Sequence, residues 1–385
     1  MKFSSKSREL SIDEANAFGE ELDALRKETI ASLGKKDADY IYAVRNFVRY
    51  SEIAGRSSLM LGWLPPFWLA GTALLGVSKI VENMELGHNV IHGQYDWMND
   101  PTLRGSTYEW DHPCPSENWR HTHNFMHHTY TNVRGMDHDI GYGALRLFPE
   151  QKWEPRFVLN PLVAAFLAVT FEWTLSLQPL ELEKLISKEK KFSQVRAEFS
   201  IIAAKMRKQL VKDYAFFPLL AGPMFLPVIA GNAVANVMRN LWTFGIIFCG
   251  HFTEDVETFP IEVLENESRG QWYLRQLHGS GNLKGGKVFH LMSGNLSHQI
   301  EHHMFPDIPG ARYAEMAVKV REICERYGQH YNTGRFTKQF SQVVGRIFKY
   351  ALPFGKKVEA VVSNISPIST IGKKLPESTI EKNAA

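Results

Sequence analysis

The 385-residue sequence predicts an all-α protein, a polytopic membrane helical bundle of about four crossings with a cytosolic helical cap. Three long apolar stretches indicate the bundle, and short helical patterns in the polar residues 253–355 indicate the cap. The mean hydropathy of −0.24 resembles that of a soluble protein. However, an average conceals apolar segments that are separated by polar ones. Histidines are also concentrated, because 14 of the 15 lie between His88 and His303.

The composition argues against several classes of protein. A net charge of +3, from 44 Lys and Arg against 41 Asp and Glu, does not indicate a nucleic-acid partner. The three cysteines, Cys114, Cys249 and Cys324, form no CxxC pair. This spacing argues against a disulfide scaffold, a Cys-based zinc finger and an iron–sulfur cluster supplied by this chain alone.

The chain divides into three predicted regions. Residues 1–39 form an amphipathic helix region, in which Ser11 and Glu14 make a capping box and Gly34 is a C-cap candidate. Residues 40–345 form the membrane domain. Residues 346–385 form a tail with few large apolar side chains, and we expect it to be disordered towards its end.

The apolar stretches are Leu59–Ser78, Phe157–Leu180 and Tyr214–Phe252. The third is too long for one crossing, and we expect a hairpin that turns at Gly231-Asn232. Between the second and third stretches, residues 184–212 carry nine Lys and Arg. Such a basic loop is typical of the cytoplasmic side of a membrane.

The number of crossings depends on the second apolar stretch. If every histidine cluster lies on one face, an even number of crossings must separate the clusters. The predicted 214–252 hairpin meets this condition. Residues 157–180 must then be re-entrant, interfacial or a tight hairpin, and the sequence leaves this open.

Three histidine clusters are candidate metal sites. His88 and His92 are four residues apart, so an α-helix presents both imidazoles on one face. Two further clusters repeat one HxxxHH spacing on either side of the membrane stretches. They consist of His123, His127 and His128, and of His298, His302 and His303. His251, at the end of the third stretch, is a further candidate.

These residues suggest two metal ions, because a structural zinc needs only four ligands. Imidazole suits Zn, Cu, Fe and Ni. Zinc has no redox chemistry, so an all-histidine dinuclear site at a membrane surface favours iron and dioxygen chemistry. Nearby carboxylates can orient the rings through the second ring nitrogen. The candidates for that role are Glu85, Asp111, Asp139 and Glu301.

The clusters HNVIH (88–92), HNFMHH (123–128) and HQIEHH (298–303) resemble the three histidine boxes of the membrane fatty acid desaturases. The resemblance covers roughly residues 40–345. The third box is similar to the QxxHH form of front-end and linoleoyl-type members. The resemblance implies a non-haem di-iron centre that uses one O₂ and two electrons to form a cis double bond in an acyl chain.

Carried over residue by residue, the resemblance implies a metal-ligand set drawn from all three boxes and from His251. In the third box the family pattern nominates Gln299, whereas the internal spacing nominates His298, and both stay open. The implied ligands are His88, His92, His123, His127, His128, His251, His302 and His303, with His298 or Gln299.

The resemblance also implies partners and a location. Many front-end members carry a fused cytochrome b5 with an HPGG motif, which this sequence lacks. We therefore expect a separate electron donor: a ferredoxin, a rubredoxin, or a cytochrome b5 with its reductase. The fatty acyl substrate, an acyl-CoA or acyl lipid, would lie in an apolar tunnel. Residues 63–73 and 216–228 could line this tunnel, although any one of them could instead simply face lipid or a neighbouring helix. We expect a multi-pass protein with a cytosolic active site, in a bacterial inner membrane rather than the endoplasmic reticulum.

Two other functions remain open. A hydroxylase could use the same di-iron scaffold, because the ligands do not decide between hydroxylation and a second hydrogen abstraction. A non-enzymatic membrane metal-binding or transport protein is disfavoured. Transporters usually place polar groups near the middle of the membrane, whereas these histidines adjoin polar segments.

Overall fold

The computed structural model describes residues 6–186 and 188–353, and confirms a chain built almost entirely of helices. In these ranges the strands are β1 (Asn282–Lys284) and β2 (Thr333–Arg335), which pair in parallel. The α-helices are α1 (Ile12–Ala31), α2 (Lys35–Leu59), α3 (Pro65–Val81), α4 (His88–Ile91), α5 (Ser116–Trp119), α6 (His128–Tyr130), α7 (Asn160–Leu177), α8 (Leu182–Ile186), α9 (Phe192–Val211), α10 (Phe217–Leu220), α11 (Phe225–His251), α12 (Arg269–His278), α13 (Lys287–Met292), α14 (Gln299–Met304), α15 (Tyr313–Arg326) and α16 (Phe336–Ala351).

Three of these helices continue through π-helical turns. Glu82–Gly87 joins α3 to α4, Arg120–His127 joins α5 to α6, and Lys212–Phe216 joins α9 to α10. A π-turn inserts an extra residue and is frequent at functional sites. Two of the three adjoin or contain predicted histidine boxes.

The long helices form one bundle. The helices α2 and α3 pair closely, and α11 packs along α3. The pairing is close because Gly55 and Gly71 face the opposite backbone. A Cβ on Gly71 would lie 2.9 Å from the carbonyl oxygen of Gly55. At one end of the bundle the indole of Trp68 donates to the carbonyl oxygen of Pro227 at 2.9 Å.

The predicted turn at Gly231-Asn232 is wrong, because α11 is unbroken there. The chain turns earlier, at Gly222–Met224, where Gly222 has φ of +56°. Asn232 instead lies inside the bundle, and its amide donates to the carbonyl oxygen of Asp213. The predicted basic loop over 184–212 is also largely helical, since it contains α9.

One helical segment of the described residues, Pro155–Leu180, is long and apolar enough to cross a membrane. The other bundle helices carry charged side chains that are buried inside the bundle, such as Lys79, Asp213 and Arg239. Large apolar side chains are nevertheless exposed along α2, α3, α7 and α9–α11. They include Phe47, Ile53, Trp63, Leu69, Leu162, Phe166, Phe199, Phe216, Leu219 and Leu226.

A polar helical cap covers one end of the bundle. The helix α1 begins at the predicted capping box of Ser11 and Glu14, and its apolar face packs on α12 and α15. Gly34, expected to end this helix, precedes the first residue of α2 instead. The helix α16 continues past residue 345, and the predicted tail from residue 354 onwards lies outside the described residues.

The crossing of α1 and α12 depends on a glycine contact. A Cβ on Gly270 would lie 1.8 Å from the carbonyl oxygen of Ala15, whereas a Cβ on Gly286 would have no heavy atom within 4 Å. We expect Gly270→Ala to lower the free energy of unfolding by about 1–3 kcal/mol or more, the usual cost of overpacking. We expect Gly286→Ala to leave it nearly unchanged. Thermal unfolding of the purified variants checks this, and equal transition temperatures would contradict the contact.

Candidate metal centre

The predicted ligands converge at the cap end of the bundle. The first box lies in the helical segment that continues from α3. The second box lies in the Arg120–His127 π-helix, and the third lies in α14. His251 is the last residue of α11. In a first histidine group, His88, His92, His123 and His302 place one nitrogen each within 4.8 Å of one another. In a second histidine group, His127, His251 and His303 do the same.

His128 lies between the two groups. Its ring centroid is 4.7 Å from those of His92 and His302, and 4.4 Å from that of His303. Both of its ring nitrogens are buried and have no hydrogen-bond partner. It can therefore offer a nitrogen to either group.

The first histidine group leaves its Nε2 atoms unpartnered. The Nε2 atoms of all four of its histidines are buried and accept or donate no hydrogen bond. A buried polar atom without a partner costs about 1–3 kcal/mol. Four such atoms that face one another fit a metal ion, which would satisfy all four together.

The second histidine group places two nitrogen lone pairs against each other. The Nδ1 of His251 donates to the carbonyl oxygen of Gly279 at 3.2 Å, and the Nδ1 of His303 donates to the Oε1 of Gln276 at 3.1 Å. Each Nε2 therefore carries a lone pair, and the two Nε2 atoms lie 3.1 Å apart. Two lone pairs at this distance repel each other unless a cation binds both.

Charge at this centre favours a bound cation. Burial lowers the pKa of His88 to about 4, so its imidazole is a neutral ligand. Burial also opposes a charge on His127, but Asp137 and Asp139 outweigh it and raise the pKa of His127 to about 9. The same carboxylates would stabilise a metal cation at its Nε2.

Comparison with known proteins identifies the family. Residues 62–335 match the fatty acid desaturase family model. The chain is 44% identical over 337 residues to the NADPH-dependent stearoyl-CoA 9-desaturase of Mycobacterium tuberculosis, covering 86% of this chain and 79% of that protein. It is 28% identical over 281 residues to the sn-1 linoleoyl-lipid 6-desaturase of Synechocystis, covering 69% and 75%.

The chain belongs to the fatty acid desaturase family. It is therefore an oxidoreductase that acts on acyl chains. This membership accounts for the three histidine boxes and is compatible with the metal centre that the histidines form.

An apolar cavity adjoins the histidines of this desaturase. Its walls come from the cap and from α7 and α11, and not from residues 63–73 and 216–228 as predicted. Parts of those segments are exposed, as at Trp63 and Leu219, and other parts pack inside the bundle, as at Gly71 and Val228. The apolar walls are Met84, Trp110, Trp119, Tyr142, Leu175, Ile247, Phe252 and Leu296.

The structure places the two candidate ligands of the third box, His298 and Gln299, in different surroundings. The Nε2 of Gln299 lies 2.9 Å from the Nε2 of His251, so Gln299 adjoins the second histidine group. His298 belongs to neither group, and its ring stacks on that of His290 at 4.7 Å. A 3-10 turn over Leu296–His298 precedes α14 and turns His298 away from the other two histidines of its box.

Of the four carboxylates expected to orient the ligands, only Asp139 contacts a ring of either histidine group. The carboxylate of Asp139 lies 3.4 Å from the Nδ1 of His123. Asp111 instead pairs with Lys212, and Glu85 accepts from Tyr40 and Asn295. Glu301 accepts from Asn282 and Tyr331. These three carboxylates support the scaffold around the boxes without orienting a ligand ring.

Sequence reasoning missed most groups that orient the rings. Asp137 accepts from the Nδ1 of His127 at 3.0 Å, and from the backbone N–H groups of Asn132 and Asp139. Gln276 bridges two boxes, since its amide nitrogen also donates to the carbonyl oxygen of His128. Asp137 could have been predicted to orient a ring, because it lies two residues before the candidate Asp139 and ten residues after His127. Gln276 carried no local signal.

Asp137 is expected to determine metal affinity. Asp137→Asn removes the negative charge that holds the Nδ1 proton of His127, and such a loss typically weakens metal binding about 10–100-fold. Asp255→Asn is the matched control, because Asp255 lies 3.5 Å from the Nε2 of His330 and contacts no residue of either histidine group. Metal content after graded chelator competition checks this. Equal retention by both variants would contradict the assignment.

Proposed function

We propose that the protein is an O₂-dependent membrane desaturase that forms a cis double bond in a fatty acyl chain at two histidine-bound iron ions. One observation carries the proposal. Buried imidazole nitrogens without protein partners face one another beside a cavity with mostly apolar walls. The family membership supplies the reaction class.

The ligand assignment follows the two histidine groups. His88, His92, His123 and His302 would hold one iron, and His127, His251 and His303 the other. His128 lies close to both groups and could be a ligand of either ion. Gln299 is a candidate ligand of the second ion. His298 is not included. When bound, the two irons supply O₂ activation and accept two electrons.

The remaining chemistry belongs to the protein's own side chains. Asp137, Asp139 and Gln276 fix the ring orientations before any substrate arrives, so little reorganisation is needed during reaction. Trp119 stacks on His123 at 4.2 Å and forms part of the cavity wall. The apolar walls exclude water and would hold one CH₂–CH₂ pair near the metal centre.

For the substrate we propose a saturated acyl-CoA and a bond introduced at carbon 9. The 44% identical relative, named as a stearoyl-CoA 9-desaturase, supports this choice. The QxxHH third box by itself favours front-end selectivity, and the 28% identical relative is named as a linoleoyl-lipid 6-desaturase. The greater similarity and coverage of the former relative favour position 9.

A separate protein would deliver the electrons. Because the similar relative is named NADPH-dependent, we propose a donor that draws on NADPH through a reductase. The donor itself would be a ferredoxin, a rubredoxin or a cytochrome b5.

The bundle would lie in a bacterial inner membrane. We propose α2, α3, the continuous helix from α9 to α10, and α11 as the crossings, with the metal centre on the cytosolic side. The exposed apolar side chains along these helices support contact with lipid. The metal-transport alternative is not supported, since the histidines cluster at the cap end of α11 rather than halfway along it.

Product analysis tests the desaturase proposal. Fatty acids of a host that expresses the chain with an electron donor are profiled by gas chromatography–mass spectrometry. We expect His302→Ala to remove the new unsaturated acid, because it opens the first histidine group. His298→Ala, four residues earlier, is the matched control and should retain most of the product.

The products also separate the alternatives. Fragments of the derivatised acid locate the double bond, and a bond at carbon 6 would replace our proposed position. A new hydroxy acid, abolished by His302→Ala, would establish the hydroxylase instead. Product loss in His298→Ala but not in His302→Ala would refute the ligand assignment.

A further inference from the structure

Two segments near the metal centre carry positive charge and no acidic residue. Residues 281–298 and 331–353 contain no Asp or Glu, although the whole chain has 41 of them against 44 Lys and Arg. The first segment contains β1 and α13, and the second contains β2 and α16. Because β1 pairs with β2, the two segments meet at one place on the surface.

Four exposed cations lie around this meeting point. They form the basic patch, which consists of Lys284, Lys287, Arg335 and Lys338. No carboxylate of residues 6–186 or 188–353 forms an ion pair with any of the four. Other cations of the cap are paired, such as Arg312 with Asp37. The positive charge of the basic patch is therefore not balanced within this part of the chain.

The fold itself disfavours this arrangement of charges. The sheet register places Lys284 directly opposite Arg335, and two like charges so close repel each other. Arg335 is the N-cap of α16 and Lys338 lies in its first turn, where the partial positive charge of the helix end disfavours cations. That turn contains no acidic residue. An anionic partner would relieve both repulsions at once.

The basic patch also offers an apolar contact. Val288, next to Lys287, is 75% exposed. On the inner side of β1, Leu283 packs in the apolar cluster that contains Phe252 and Leu296, which also form part of the cavity wall. An apolar side chain among unpaired charges is typical of a protein interface with a polar rim.

The strand β1 connects the basic patch to both histidine groups. Two residues before Lys284, the Oδ1 of Asn282 accepts from the N–H of Ile300 at 2.9 Å, and its Nδ2 donates to the carboxylate of Glu301 at 2.8 Å. Glu301 directly precedes His302 of the first histidine group.

The same strand approaches the second histidine group. The N–H of Gly281 donates to the carbonyl oxygen of Gly250 at 2.9 Å, and Gly250 directly precedes His251. A short run of bonds and hydrogen bonds therefore joins the exposed basic patch to a ligand of each group.

These connections favour a redox protein as the partner. Substrate phosphates and lipid headgroups are also anionic, but neither needs a connection to the metal ligands. Electrons must reach the metals, whereas the centre is buried. Electron-transfer complexes have small interfaces, and complementary charge brings the partners together rapidly.

We propose that the basic patch is the docking surface for an acidic electron-transfer protein, which passes electrons to the metal centre by way of β1. The proposal rests on the desaturase function proposed above. Each docking event oxidises the donor and reduces the centre by one electron. Two events supply the two electrons of one turnover, and no atom is transferred.

Donor binding to the purified chain tests the docking surface without any metal. The probes are an oxidised acidic ferredoxin, a rubredoxin and a cytochrome b5, and surface plasmon resonance measures their binding to the chain in nanodiscs of neutral lipid. The variant is Lys284→Glu/Lys338→Glu. The matched control, Lys27→Glu/Lys36→Glu, removes the same charge at two other exposed positions.

The variant is expected to fold. Lys284→Glu would face Arg335 across the sheet, and Lys338→Glu would place an anion in the first turn of α16. Both changes relieve a repulsion, so thermal unfolding should occur at no lower temperature than in the unaltered chain.

We expect the variant to raise the dissociation constant of at least one donor by about tenfold or more at low ionic strength. The difference should shrink towards 1 M salt, where screening acts over about 3 Å. The control should bind as the unaltered chain does. Equal binding of all three donors by the variant and the unaltered chain would overturn the docking surface.

Turnover of the iron-loaded chain separates this proposal from the others. A raised KM for acyl-CoA in the variant, with unchanged donor binding, would assign the basic patch to the phosphates of the substrate and overturn donor docking. Donor binding that depends on the basic patch, without any unsaturated product, would support the docking surface and refute the proposed desaturase function.

Discussion

The arrangement of this protein depends on burying imidazole nitrogens that have no protein partners. An unpartnered buried nitrogen costs about 1–3 kcal/mol, and the first histidine group alone contains four. The fold around the group must supply that free energy until a cation binds. The oxygen acceptors on the opposite ring nitrogens, such as Asp137 and Gln276, determine which nitrogen is left exposed to the centre. The remaining scaffold serves to place those acceptors.

The scaffold places them by joining distant parts of the chain. The helix α12 carries Gln276, which contacts both the second and the third box. Its neighbour Arg275, fully buried, pairs with Glu267 and donates to the carbonyl oxygen of Thr129. That contact holds the end of the second box. The cap is therefore a support for the ligands as much as a lid on the bundle.

Sequence reasoning predicted what local spacing determines. The all-α class, the capping box of α1 and the residues brought together at the metal centre follow from short patterns. Features set by long-range packing were missed. Gly231 lies inside α11 instead of a turn, and the side chain of Leu59, far away in sequence, packs against it. Likewise, no local pattern distinguishes Asp111, paired with Lys212, from Asp139, beside His123.

The distribution of ligands along the chain has a consequence for biosynthesis. The first histidine group needs His302 and the second needs His303, although both groups also draw on residues before position 130. Neither group is complete until nearly four-fifths of the polypeptide has been synthesised. A metal ion that needs every member of either group can therefore bind only after α11, which precedes both residues in the chain, has been synthesised. A nascent chain that stops earlier presents only an incomplete set of histidines for either group.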